Sequence, residues 1–474
     1  MKCTVPPPTP RPYCTVAAST AWSVSVSPAQ GLPTGPLTRT SSRTIPRRNG
    51  KSVFPAWPGA NPFDPPRSKP YPLPPLPVKS SGVLLERAAT KLGWHAFAAP
   101  MAILSQPYQG RAQCGHCGFC ELMGCEFGAK SSTLVSVIPM AEKTGRCEVR
   151  PHSYVREIAT DSKGRVNGVS YFDSEKKEIL QKAKAVVVCA NGAETPRLLL
   201  MSKSSRFPQG LANSSGLVGK YLMFDCGTWA MGVFEHPLNE YKSVVVTRVV
   251  QDFYDADPKR GFYGGGGMDA RFDVYPISYA LHGLPTGVPG WGTQYKRWIQ
   301  QSFTRSMMIL CHLTTLPIES NTITLDPDIK DAWGLPAIRV TYKNHPDDLK
   351  NKGFFAERAL ELLEAAGALK MWAGEAEAVH LMGTCRMGED PSRSVVDKYH
   401  RAHDVPNLPR RWQQFRECRT QPTDVHDPGA GLSCRLLHRR RGKEGRDSSA
   451  SLMGYEYRRE DHDKQSARFD WRYF

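Results

Sequence analysis

One stretch in the first half of the chain most constrains its fold. Residues 183–190 read Ala-Lys-Ala-Val-Val-Val-Cys-Ala, a mostly apolar run typical of a strand that is buried on both faces. The run leads into Asn191-Gly192-Ala193 and then into residues 194–202, which we predict to be a helix. A strand, a glycine-bearing turn and a helix form half of a nucleotide-binding unit, so the sequence predicts an α/β domain here.

The regions around this unit extend the prediction. Residues 147–150, 154–158 and 166–172 have the composition of strands, and residues 161–164 form a turn. Residues 230–345 contain short alternating stretches, such as 322–325 and 337–342, which favour an antiparallel sheet. Residues 80–97 and 347–366 are predicted to be helical. The fold class is therefore α/β in the first domain, with a mostly antiparallel second domain, and α+β overall.

The two ends of the chain differ from its middle. The formal net charge is +17, and residues 1–59 hold seven Lys or Arg and no acid. Residues 409–474 hold fifteen Lys or Arg against ten acids. Both ends lack apolar periodicity, and the first is rich in proline, which favours an extended or disordered chain. The basic balance belongs to these tails, and we expect no nucleic-acid partner.

Targeting signals are not visible in the sequence. No run of about 18 apolar residues occurs, so no transmembrane segment is expected. The first residues, Met-Lys-Cys-Thr followed by prolines, are unlike a signal peptide. The location stays unknown, and cytoplasmic is the default expectation.

Four cysteines lie close together in the sequence, at Cys114, Cys117, Cys120 and Cys125. The spacing of the first three matches runs that bind iron–sulfur clusters, whereas the last interval is atypical. Zinc is an alternative metal for these cysteines. A third interpretation is that the thiols bind no metal. The pattern makes these cysteines candidate metal ligands without deciding among the three.

A second motif carries a candidate base. Residues 380–388 read His-Leu-Met-Gly-Thr-Cys-Arg-Met-Gly, and glycine and threonine after His380 end any preceding helix. Imidazole has an unperturbed pKa of about 6.5, so it can accept a proton near neutral pH.

Three segments carry a family resemblance: residues 128–132, residues 191–200 with the following 219–222, and residues 380–388 with 394–397. Together they resemble the glucose–methanol–choline (GMC) flavin oxidoreductases of the gluconate or glucose dehydrogenase type, over about residues 59–408. The resemblance divides the chain into an atypical segment 1–59, the remainder of an FAD-binding domain at 60–229, a substrate domain at 230–375, a catalytic segment at 376–408 and an atypical basic tail at 409–474.

The resemblance also implies a function and site residues. It implies an FAD-dependent oxidoreductase acting on the CH–OH group of an alcohol, sugar or sugar acid, with His380 as base and an electron-acceptor protein or quinone as partner. By position, Val155 would lie beside the adenine, and Asn191 and Gly192 would line the FAD cleft. Arg386 would hold the flavin or an anionic substrate. The plainer alternatives are strand core for Val155, a turn before a helix for Gly192 and a structural ion pair for Arg386.

The chain departs from the family at both ends. No Gly-x-Gly-x-x-Gly occurs anywhere, so the Rossmann-like domain lacks its first βαβ unit and the loop that grips pyrophosphate. After Leu408 the sequence continues Pro-Arg-Arg, and no second catalytic residue is assigned. Two alternatives therefore accompany the leading function: a truncated or frame-altered remnant that does not retain FAD, and an iron–sulfur electron-transfer module.

Overall fold

The computed structural model describes residues 14–19, 22–26, 61–63 and 71–405, except 121, 122, 226, 273, 286 and 376–378. The strands are β1 (Cys14–Ser19), β2 (Trp22–Val26), β3 (Ala96–Ala98), β4 (Cys147–Pro151), β5 (Tyr154–Thr160), β6 (Val166–Phe172), β7 (Glu178–Lys182), β8 (Val186–Val188), β9 (Met223–Asp225), β10 (Thr228–Val233), β11 (Arg248–Val250), β12 (Gly266–Arg271), β13 (Ser306–Leu313), β14 (Thr322–Lys330), β15 (Pro336–Thr341), β16 (Lys370–Glu375) and β17 (Val379–Met382). The α-helices are α1 (Ser80–Lys91), α2 (Val137–Glu142), α3 (Glu194–Met201), α4 (Pro276–His282), α5 (Gly292–Ser302) and α6 (Pro346–Ala366). Short 3-10 helices lie at Thr133–Val135, Pro258–Arg260 and Phe303–Arg305.

The first group of strands surrounds the apolar run noted in the sequence. A mixed sheet has the order β4-β1-β2-β8, in which β1 runs parallel to β4 and antiparallel to β2. Strands β5, β6 and β7 form a separate antiparallel sheet. Strands β1 and β2 belong to segment 1–59, for which the sequence favours an extended or disordered chain. The remainder of that segment, and the tail 409–474, lie outside the described residues.

Helix α3 follows β8 and packs against β5 and β14. Val186 and Val188 of β8 are buried together with Leu198 and Leu199 of α3. Complete burial of one such side chain contributes about 1.5–3 kcal/mol. The predicted strand–turn–helix unit is confirmed, although β8 is only three residues long, shorter than the apolar run 183–190.

The second group is a six-stranded antiparallel sheet with the order β16-β10-β13-β12-β11-β3. Helices α1 and α6 cover one face of it. Buried Phe355, Ala359 and Leu362 of α6 recur at intervals of four and three residues, which places them on the helix face toward the sheet. The predicted antiparallel domain is confirmed.

Local sequence signals account for the ends of α6. His345 caps the helix by accepting a hydrogen bond from the amide of Asp347, and Asp348 accepts one in return from the amide of His345. Pro346 occupies the first helical position, where its missing N–H costs nothing. Gly367 ends the helix with a left-handed φ of 91°, a conformation that glycine adopts without strain.

One short strand pair joins the two groups of strands. Apart from β3, the strands of the six-stranded sheet lie between β9 and β17 in sequence, and β9 and β17 pair antiparallel. The register shifts between Val379 and Met382, so β17 contains one residue more than the facing part of β9. Such a bulge redirects side chains, and here it contains His380 and Leu381.

The part of the chain that the structure describes contains no helix that is both long enough and apolar enough to cross a membrane.

Candidate active site

His380 lies in the bulge of β17 with an unusual backbone. Its φ is 56°, in the left-handed region that few residues other than glycine adopt. Its side chain is 37% exposed, and its Nδ1 lies 3.1 Å from Oδ2 of Asp225 on β9. Such strain is found where surrounding contacts hold a functional side chain in place. The bulge thus turns the ring of His380 toward Asp225 at the junction of the two groups of strands.

The turn after His380 is fixed by close backbone contacts. Gly383 has a φ of 79°, and a Cβ built on it would lie 1.9 Å from the carbonyl oxygen of Tyr221, so only glycine fits. Thr384 follows with a φ of 53° and donates a hydrogen bond of 2.7 Å from Oγ1 to the carbonyl oxygen of Gly192. The Gly-Thr pair of the motif therefore ties the loop of His380 to the turn after β8.

Asp225 is the partner that orients His380. Its side chain is 3% exposed, and it accepts hydrogen bonds from the amide of Leu313 at 3.3 Å and from Nδ1 of His312 at 3.1 Å. Burial alone would raise the pKa of Asp225, but the hydrogen bonds from His312 and His380 outweigh it and hold that pKa well below its usual range. Asp225 is therefore a carboxylate at neutral pH.

The tautomer of His380 follows from the charge of Asp225. A carboxylate has no proton to donate, so Nδ1 of His380 must carry one. In the neutral ring the proton on Nδ1 leaves Nε2 with a lone pair. Among the described residues, none lies within hydrogen-bonding distance of Nε2. The geometry thus presents an unprotonated imidazole nitrogen on a side chain that is partly exposed.

Three further charged residues lie behind Asp225 and form a buried triad: Asp269 and Arg271 of β12, and His312 of β13. Arg271 Nη2 donates to Asp269 Oδ2 at 2.6 Å, and His312 Nε2 lies 3.1 Å from the same oxygen. All three side chains are at most 2% exposed. The sheet register brings them together, because β12 and β13 are neighbouring strands.

The protonation of His312 decides the charge of the triad. Burial alone would lower the pKa of His312, but its hydrogen bonds with Asp225 and Asp269 raise that pKa to about 9. Nε2 of His312 also lies 3.2 Å from Nη2 of Arg271, and it cannot both donate to Asp269 and accept from Arg271. With two carboxylates in contact, we assign His312 as a doubly protonated imidazolium that donates to both.

The sequence analysis missed Asp225 and the whole buried triad. A weak signal was present, because Asp269 and Arg271 are two residues apart in a strand where every residue is buried. Residues two apart in a strand share a face, so an acid and a base at that spacing can pair. His312 carries a similar signal, since it follows the apolar run Met-Met-Ile-Leu-Cys of β13.

The remaining predicted cofactor residues have different surroundings. Asn191 Oδ1 accepts hydrogen bonds from the amides of Ala193 and Glu194 at 3.0 and 2.9 Å, so its side chain caps α3. Val155 is 1% exposed and lies in the apolar core beside β8. Arg386 lies with its guanidinium carbon 4.2 Å from the ring centre of Tyr221. Their contacts with FAD stay predictions.

Gly192 lies beside the loop that follows His380. Besides its bond to Thr384, a Cβ built on Gly192 would lie 3.0 Å from the carbonyl oxygen of Leu381. The structure therefore brings Gly192 and His380 together, as a shared flavin site requires. The flavin end of FAD thus fits the residues present. The pyrophosphate end has no counterpart, because the sequence contains no Gly-x-Gly-x-x-Gly loop.

The four cysteines precede β4 in the sequence. Cys114 is buried, Cys117 is exposed, and Cys120 and Cys125 are half-buried. Burial, and then repulsion from Cys114 and Cys117, raises the pKa of Cys120 to about 11, so these thiols lie close enough to influence one another. Within the described ranges, however, no group of three or more His, Cys, Asp or Glu is arranged to hold a metal ion. The iron–sulfur role stays a prediction, which iron and labile-sulfide analysis of the purified protein tests.

Comparison with known proteins identifies the family. Two sequence models, each described as GMC oxidoreductase, match residues 79–223 and 317–409. The chain is 37% identical to 2-methyl-1,2-propanediol dehydrogenase of Mycolicibacterium austroafricanum, over 71% of this chain and 61% of that protein. It is 30% identical to the fructose dehydrogenase large subunit of Gluconobacter japonicus, over 76% of this chain and 64% of that protein. It is 28% identical to the gluconate 2-dehydrogenase flavoprotein of Pantoea cypripedii, over 74% and 60% respectively. The chain thus spans just over three fifths of the length of these relatives, and it belongs to the GMC oxidoreductase family.

Proposed function

We propose that the chain oxidises the CH–OH group of a small alcohol, sugar or sugar acid with FAD as hydride acceptor and His380 as base. GMC oxidoreductases bind FAD. The observation that carries the proposal is the pair formed by His380 and Asp225, in which Nδ1 is held at 3.1 Å by a buried carboxylate and Nε2 is left unprotonated.

The residues of the pair have distinct roles in the proposed reaction. Nε2 of His380 accepts the proton of the substrate hydroxyl, and bound FAD supplies the oxidising equivalent by taking the hydride from the same carbon. Asp225 holds the ring in the required tautomer. Once His380 has taken the proton, the positive ring faces a carboxylate, and a hydrogen bond of this charged kind contributes about 1.5–3 kcal/mol.

The cofactor would lie where the turn after β8 meets the loop after His380. Gly192 and Thr384 join these two segments by a hydrogen bond of 2.7 Å. We propose that Asn191 and Gly192 line the flavin and that Arg386 contributes positive charge at the same edge. Val155 is the weaker assignment of the four, because its side chain is packed in the core.

The proposed substrates come from the relatives. Their names refer to 2-methyl-1,2-propanediol, fructose and gluconate. All three molecules carry a hydroxyl group next to a second oxygen-bearing carbon. We therefore propose a small polyhydroxylated substrate of this kind, with a quinone or an electron-acceptor protein reoxidising the flavin.

Anaerobic flavin reduction tests the proposal. The full chain is purified, its bound FAD is quantified, and 2-methyl-1,2-propanediol, fructose and gluconate are added while the visible absorbance of the flavin is followed. Loss of a general base typically costs 10²–10⁴-fold in rate, so His380→Asn should slow the bleaching by on the order of that factor with FAD content unchanged.

His236→Asn is the matched control, because His236 has a side chain that is 84% exposed and lies outside the active site. Its rate should equal that of the unaltered chain. Equal rates for His380→Asn and the control would contradict the role of His380. A chain that retains no FAD would instead support the non-catalytic alternative.

A further inference from the structure

The strongest unexplained feature of the molecule is the buried triad together with Asp225, because four charged side chains that are almost completely buried are costly to place inside a protein. A buried ion pair usually contributes little to stability, since the loss of hydration offsets the attraction. Asp225, Asp269, Arg271 and His312 together form a cluster in which each side chain is at most 3% exposed. His380 is the one member of this hydrogen-bonded chain that reaches solvent.

We propose that the buried triad sets the charge that His380 experiences, so that Asp225 can orient the ring while His312 opposes the binding of a second ring proton. This inference rests on the proposed function of His380. The members of the triad touch neither substrate nor cofactor and act through Asp225, so they are positioning residues.

The first step of the reasoning is the balance of charge. Asp225 and Asp269 contribute two negative charges, and Arg271 and His312 contribute two positive charges. The cluster is therefore neutral, and a neutral His380 completes it without an uncompensated charge. An isolated carboxylate at Asp225 would instead attract a proton to His380 and occupy the nitrogen that must accept the proton of the substrate.

The second step is distance. His312 Nδ1 and His380 Nδ1 both lie 3.1 Å from the same atom, Oδ2 of Asp225. The two ring nitrogens are therefore at most about 6 Å apart. At an effective dielectric constant of about 20, a unit charge at that distance changes a protonation midpoint by on the order of one to two pH units.

The thiol of Cys311, which is packed against the cluster, does not alter this balance. Cys311 precedes His312 on β13, and burial followed by repulsion from Asp269 and Asp225 raises the pKa of its thiol well above the usual value. The thiol is neutral where His380 would act. The positive charge that opposes Asp225 thus comes from His312, with Arg271 paired to Asp269.

Two substitutions with opposite expected effects test the inference. His312→Asn removes a positive charge and keeps a neutral donor near Asp225, so the protonation midpoint of the His380 ring should rise by on the order of one to two pH units. Asp269→Asn removes a negative charge, so that midpoint should fall. A triad that only supported the fold would not move the midpoint in opposite directions.

The direct readout is the ring-nitrogen NMR signal of the full chain labelled with ¹⁵N-histidine, titrated with pH. This measurement needs no bound flavin and no turnover. His380→Asn identifies the His380 signal by its disappearance. His403→Asn serves as the control, because His403 bonds to Ser394 outside the cluster. Equal midpoints in the unaltered chain and both triad variants would overturn the inference.

The second readout is the pH dependence of flavin reduction. His312→Asn should move the acid limb to higher pH with KM unchanged, and on the acid side of the limb each pH unit of displacement should lower the rate about tenfold. Should either variant fail to fold, the other still gives a signed shift. An unaltered rate in His380→Asn would refute the proposed function, whereas opposite NMR shifts without activity would leave the charge balance standing on its own.

Discussion

The buried imidazolium of His312 makes the stability of this protein depend on pH above neutrality. Histidine in an unfolded chain has a pKa of about 6.5, and the contacts with Asp225 and Asp269 raise the pKa of His312 to about 9 in the folded chain. The folded state therefore binds this proton more tightly. The resulting stabilisation is fully present below pH 6.5 and is lost as the pH rises through 9.

The size of the effect follows from the two pKa values. A rise from 6.5 to about 9 corresponds to about 3 kcal/mol of unfolding free energy, at about 1.4 kcal/mol for each tenfold change in proton affinity. His312→Asn removes this contribution. At pH 6 the variant should be less stable than the unaltered chain, and the difference should shrink by about 3 kcal/mol by pH 9.5.

Urea unfolding followed by tryptophan fluorescence measures the difference at closely spaced pH values. Half-buried thiols such as Cys120 also titrate at high pH, but they are present in both proteins, so they cancel in the comparison. Parallel stability curves between pH 6.5 and 9.5 would refute the assignment of His312 as an imidazolium.

Three further predictions concern other parts of the structure. Gly216→Ala should cost about 1–2 kcal/mol of strain, because Gly216 has a positive φ but faces open space. Gly383→Ala should destabilise the fold by more than this, because a Cβ at Gly383 would also overlap the carbonyl of Tyr221. Thermal unfolding of both variants measures the difference. Burial raises the pKa of Asp348 to about 6, so the carboxyl stabilises the fold below pH 4 and loses that effect as the pH rises through 6. The difference in urea midpoint between the unaltered chain and Asp348→Asn should therefore decline over that range. A constant difference would refute the prediction. Cys117 is exposed, so a thiol reagent should label it before the other cysteines of its run, as peptide mass spectrometry can establish.

The sequence was sufficient to predict several local elements, whereas the role of His380 as a base stays a prediction. The apolar run before Asn191 identified β8 and the helix after it, and the periodicity of residues 347–366 identified α6 within one residue of its start. These features depend on neighbours in the sequence. The motif after His380 located the turn at Gly383 for the same reason, because the close contacts of Gly383 need glycine at that position.

The partners of the base could not be predicted in the same way. Asp225 lies 155 residues before His380 and contacts it only because β9 pairs with β17. His312 reaches Asp269 through the register of β12 and β13, which a single sequence does not specify. One polar residue in an apolar strand gives no information about which other strand will supply its counter-charge.

The pairing of β9 with β17 has a consequence for how the protein is assembled. Every residue of the six-stranded sheet except β3 lies between these two strands, so the chain leaves and re-enters at adjacent points. The intervening stretch is therefore an insertion whose two ends are held together by the pairing of β9 with β17. Exchanging this insertion for that of a relative would replace most of the antiparallel sheet while preserving the pairing of β9 with β17. Asp225 lies on β9 and His380 lies on β17, so their contact depends on the pairing of the two ends of this insertion.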